Sequence, residues 1–137
     1  MPTRVDLKTL AKLRLEEAEH LYKKGLYDGC VYLCGYVVEF ALKARICKVL
    51  RLSAYPEDLK GFKTHNFDEL KVVAGLKEVI TIRKNTTLFN NWSTATKWTP
   101  EQRYLPLGTF SAKEAKDVLS SLKDKPDGVL TWLSKRW

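Results

Sequence analysis

The chain has 137 residues, enough for one domain with a sizeable core. An apolar fraction of 45%, with 11% aromatic residues, excludes a disordered chain, and no segment is long and apolar enough to read as transmembrane. The formal net charge of +8 favours an anionic partner, such as nucleic acid, a nucleotide or an acidic protein, although the basic residues are spread out with no run of five or six.

The N-terminal stretch MPTRVDLKTL lacks the apolar core of an export signal, and reduced-type cysteine usage gives a cytoplasmic expectation. Val5 to Lys24 reads as the first helix, capped by Asp6 or Thr3 and stopped by Gly25. Leu7, Leu10, Ala11, Ala18, Leu21 and Tyr22 form its apolar stripe. Arg14 stands inside that stripe. Either its stem packs while its head stays in water, or it pairs with Glu39 of the next helix. His20, among EEAEHLYKK, reads as a surface residue.

After the short turn Gly25–Asp28, which predicts antiparallel neighbours, comes the central helix, about 27–50. Between Asp28 and Glu39 it carries no charged residue, and its apolar residues cover most of the circumference. Such a helix belongs in the middle of a bundle. One polar seam interrupts it: Asp28, Tyr32, Gly35, Tyr36, Glu39 and Lys43 step by three or four and share a face. Cys30, Cys34 and Cys47 all lie in this helix without Cys-x-x-Cys spacing or nearby His, and read as core thiols rather than metal ligands.

Residues 53–64 form a loop, with room for a helical turn at Pro56–Leu59. A third helix starts at Thr64–Leu70, capped by Thr64 or Asn66, and stops at Gly75. The β-branched run Lys77–Ile82 has no strand to pair with and is expected to be a further helical turn. Another helix covers about 86–96. The stretch 97–109, with Pro100, Pro106 and Gly108, reads as a loop, and its Trp98, Arg103 and Tyr104 make it a functional candidate. Ser111 and Glu114 form a capping box for the last long helix, DKPDG breaks it, and 129–137 closes the chain.

No Gly-rich phosphate loop, metal-ligand cluster or Ser-His-Asp ordering is present, and no metal or cofactor is expected. What remains is a constellation of Arg14, Tyr36, Glu39, Lys43, His65, Trp98, Arg103 and Tyr104. Glu39 and Lys43 are i and i+4 in the favourable order, so a plain intrahelical pair is one reading and a site on the apolar helix is the other.

The run R-L-E-E-A-E-x-L-x-x-x-G-L-Y-D-G-C-V-Y-L-C-G-Y-V-V-E-F-A-L-K-A-R-I (Arg14–Ile46), T-H-N-F-D-E-L (Thr64–Leu70) and Trp98 with Arg103-Tyr104 resembles the HEPN domain family, over nearly the whole chain. The resemblance implies an all-α, up-and-down bundle of four to five helices in one domain, 1–137, that usually dimerises. It implies nucleotide or RNA binding, often beside a minimal nucleotidyltransferase, in toxin–antitoxin or defence modules.

Catalytic members of that family are metal-independent RNases with an Arg-x4–6-His motif late in the bundle. Here no His follows Arg103, and Arg83 is followed by KNTTLFNN. The expectation is therefore a non-catalytic binder. In it Arg14, Lys43 and Arg103 meet phosphate, Tyr36 and Tyr104 supply hydroxyls or stacking, Trp98 stacks, and Glu39 orients Lys43 or Arg14. The alternatives are an RNase using His65 and Arg103, and a purely structural dimerisation module.

Overall fold

The structure, a computed structural model, describes residues 1–81 and 86–137. Its axis is helix α2, Tyr27–Val49, whose Cys30, Val31, Cys34, Val37, Val38, Ala41, Leu42, Ala44, Ile46 and Cys47 are all buried. No single stripe of α2 faces water, as its apolar circumference requires. Helix α1, Arg4–Lys23, packs along it most extensively and reverses direction at Gly25, whose φ of +76° a side chain would resist. Around the rest of α2 lie α3 (Phe67–Val73), α5 (Thr87–Ala95), α6 (Ala112–Lys123) and α7 (Val129–Leu133), while α4 (Lys77–Thr81) packs between α3 and α5.

The all-α bundle is as expected, and among the described residues there is no strand, only an isolated bridge between Thr3 and Ala54. The count of four to five helices is too low. Seven α-helices are described, because short segments too weak to form alone are held by burial. In α7, for example, Val129, Leu130, Trp132 and Leu133 are all buried.

Several boundaries move. Thr3, not Asp6, caps α1: its hydroxyl accepts from the Asp6 backbone N–H at 3.1 Å, while the Asp6 carboxylate accepts from the Thr3 N–H at 2.8 Å. Asn66 caps α3, accepting from the N–H groups of Asp68 (2.9 Å) and Glu69 (3.1 Å). A single hydrogen-bonded turn closes over Pro56–Leu59, the Leu59 N–H donating to the Pro56 carbonyl at 3.1 Å, without extending into a helix. The segment is tied down through Tyr55, whose N–H donates to the Pro2 carbonyl (2.8 Å) and whose hydroxyl donates to that of Phe62 (2.8 Å).

The stretch 97–109 is not wholly loop, since Pro100–Tyr104 forms a 3-10 helix with proline in its first turn. The capping box at Ser111 and Glu114 forms as read. Ile82, Arg83 and the start of KNTTLFNN lie outside the described residues. The three cysteines are free and buried. The hydrogen bond with Cys30, together with burial, holds the Cys34 thiol far above its usual range. No described helix is long and apolar enough to cross a membrane.

Candidate functional site

Along its polar seam, α2 presents Tyr32, Tyr36, Glu39 and Lys43 on successive turns. A carboxylate on so apolar a helix is costly unless it is matched. Glu39, 2% exposed, is matched twice: Lys43 Nζ donates to it at 2.7 Å, and His65 Nδ1 lies 2.9 Å from both carboxylate oxygens. An ionised carboxylate only accepts, so Nδ1 carries the proton and Nε2 is left over. Lys43 is sealed in, 6% exposed, with its ammonium 4.9 Å from the centre of the Tyr55 ring. The His65 side chain is 55% exposed and is the member of the trio that meets solvent.

His65 opens onto a cleft of about 570 Å3, lined also by Lys63, Thr64, Asp68, Trp98 and Glu101 among others, so two carboxylates share it with the lysine and the histidine. The loop before α3 supplies one rim and the 3-10 helix the other.

At the other end of the seam the Tyr36 and Tyr32 hydroxyls are 3.1 Å apart. Burial and then this hydrogen bond push the Tyr36 hydroxyl up to about 12. Arg103 sits here, its guanidinium 4.7 Å from the centre of the Tyr104 ring, with Nη1 donating to the Pro100 carbonyl at 3.1 Å. The Tyr104 and Tyr32 hydroxyls beside it hold its guanidinium above its ordinary pKa. Both Arg103 and Tyr104 are exposed. Asp28, at the start of α2, fixes the loop that follows them by accepting from the N–H groups of Gly108 (2.7 Å) and Phe110 (2.9 Å).

The structure thus brings Tyr36, Glu39, Lys43, His65 and Trp98 together, with Arg103 and Tyr104 at the Tyr32–Tyr36 end. Three expectations change. Arg14 does not pair with Glu39. It binds Glu17, one turn along its own helix, at 2.8 Å. Lys43 is not free to meet phosphate, because it is spent on Glu39 under Tyr55. Trp98 is not free to stack on a base: it is 6% exposed, its Nε1 donates to the Tyr32 carbonyl (2.9 Å), and its ring lies against Gly35. A Cβ at Gly35 would come within 2.0 Å of that ring, so the glycine is what admits it.

Sequence reasoning passed over Tyr55 and Lys63, whose roles come from where their loop lies and leave no local signal. It also passed over the spacing Arg14-x5-His20. In α1 that spacing does not put the two side chains on one face: six positions rotate them about 120° apart, and the His20 ring, 70% exposed, has Glu16 as its neighbour at 3.9 Å.

A second cleft, about 490 Å3, opens across Trp98 and is lined by Lys97, Gln102, Phe110, Glu114 and Asp117 among others. Among the described residues no cluster of His, Cys, Asp and Glu could hold a metal ion.

The family model for the HEPN domain matches residues 5–124. Comparison with curated proteins and with solved structures finds no match.

Proposed function

The chain belongs to the HEPN domain family, a nucleotide- and RNA-binding helical family, and from that premise we propose that it binds a nucleotide or an RNA phosphate without cleaving it. It would act with a partner protein such as a minimal nucleotidyltransferase, in a toxin–antitoxin or defence module, and as a homodimer.

One observation carries this reading: a buried carboxylate holds an exposed imidazole at the mouth of a cleft, at 2.9 Å, and its own charge is already matched by Lys43. His65 and Lys63 give that cleft phosphate-binding groups, and Arg103 with the exposed Tyr104 ring extends them along the seam. Cleavage of RNA without metal calls for one group to take the 2′-hydroxyl proton and another to protonate the leaving oxygen. The cleft holds a single histidine, and Lys43 is committed to Glu39.

The same Glu39–His65 bond favours a second reading, in which Nε2 of His65 acts as acid or base and Arg103 stabilises the phosphorane. Labelled RNA incubated with the protein in the absence of metal separates the two. Retention of intact RNA in a complex, weakened in His65→Ala and Arg103→Ala, is the expected result. Cleavage that disappears in His65→Ala would establish the second reading instead. A dimerisation module with no ligand would bind neither RNA nor nucleotide, and sedimentation showing only monomer at micromolar concentration would remove the homodimer.

A further inference from the structure

A second concentration of charge lies along α1. Arg4, Lys8 and Lys12 fall at i, i+4 and i+8 of α1, so they share one face with a rise of about 6 Å per step. The lysine ammonium groups each lie 5.7 Å from the centre of the Trp137 ring, and the Arg4 guanidinium donates to the Trp137 carbonyl at 2.6 Å. Arg4 Nε is buried without a hydrogen-bond partner. Lys48 of α2 joins the group: partial burial and then the fields of Arg4, Lys48 and Lys12 lower the pKa of Lys8.

Among the described residues, the ion pairs of α1 are Arg14 with Glu17, His20 with Glu16 and Glu19 with Lys123. None of them uses Lys8, Lys12 or Lys48. Three ammonium groups are therefore held near Arg4 with no ion-pair partner among the described residues, an arrangement that a polyanion would relieve.

We propose that Lys8, Lys12 and Lys48, with Arg4 behind them, form a dock for the phosphate backbone of a single-stranded nucleic acid, distinct from the His65 cleft. The inference deepens the nucleic-acid reading above and rests on it. Cations repeating once per helical turn suit a charged backbone better than an acidic protein. Trp137, the aromatic ring of this face, is 7% exposed beneath its two lysines and gives a protein partner no aromatic anchor, and the exposed apolar side chains beside the lysines, Val5 and Val49, are small. The same covering denies a base a surface on which to stack, so the dock reads no sequence.

The test is binding of fluorescent oligouridylate and oligothymidylate to the full chain across a salt series, by anisotropy. Lys8→Gln/Lys12→Gln/Lys48→Gln should weaken binding at least about tenfold at low salt, equally for both strands, and flatten the salt slope by roughly 2. The matching triple Lys→Arg variant should restore both, which sets a loss of charge apart from a loss of fold. An unchanged slope in the Gln variant would overturn the dock. So would failure of either strand to bind the native chain, or tighter lysine-dependent binding of poly-glutamate. Uridine monophosphate titrated in parallel reports on the cleft. Its failure to bind, with the oligonucleotide still lysine-dependent, would remove the cleft reading and leave the dock standing.

Discussion

The two ends of the α2 seam handle charge in opposite ways. At the Glu39 end a carboxylate and an ammonium are withdrawn from water and bonded to each other at 2.7 Å, with His65 as their exposed extension. At the Tyr32 end Arg103 stays in solvent beside an exposed Tyr104, donating to the Pro100 carbonyl of its own 3-10 helix, with no carboxylate paired to it among the described residues. Buried charge must be matched because desolvation would otherwise exceed any gain. Exposed charge costs little to leave unmatched, and is what a ligand can use. Burial, not residue type, therefore separates the groups that build this site from those that would meet a ligand.

The sharpest way to break that contrast is Glu39→Ala. It leaves Lys43 buried without a partner and should cost about 3–5 kcal/mol in urea unfolding, whereas Arg103→Ala should leave the midpoint unchanged. Equal, small effects at both positions would erase the distinction. Gly35→Ala comes next. The added methyl meets Trp98 and should cost about 1–3 kcal/mol while displacing the wall between the two ends, which tryptophan fluorescence would report. Ser111→Ala, remote from the seam, removes one side of a capping box and should cost about 1 kcal/mol without touching ligand binding.

Titration sharpens the contrast further. The folded Tyr36 hydroxyl ionises only near pH 12, against about 10 for an ordinary tyrosine. Between those values the unfolded chain loses a proton that the folded chain keeps. Stability is thus fully present below about pH 10 and falls as pH rises towards 12. Tyr36→Phe should make that alkaline decline shallower, as read by thermal melts across the range. A decline of the same steepness in the variant would place the linked group elsewhere, Tyr55 being the first alternative because burial raises its pKa too.

How much of this was legible depended on how local the cause was. The all-apolar α2, the Gly25 stop and the Ser111 capping box are set by neighbours in sequence, and each formed where periodicity and cap chemistry placed it. The seam itself was visible at three- and four-residue spacing. Which of its charges would be sealed was not visible, because the seal comes from Tyr55 and His65 in a loop whose position is fixed by contacts with Pro2 and Phe62. Arg14 looked available to Glu39 until Glu17 proved closer. Trp98 looked like a stacking residue in a loop. Gly35, a small residue in the middle of an apolar helix, was the signal that some large group would lie against it.

The central claim is that Glu39 holds His65 out to a ligand while keeping Lys43 back. Side-chain nitrogen NMR of the labelled protein, titrated with a short oligouridylate, tests it most directly. The expected result is saturable shifts at the His65 ring nitrogens and the Arg103 guanidinium, with the Lys43 ammonium unmoved. Shifts at Lys43 with His65 silent, or no saturable shift at either, would contradict it.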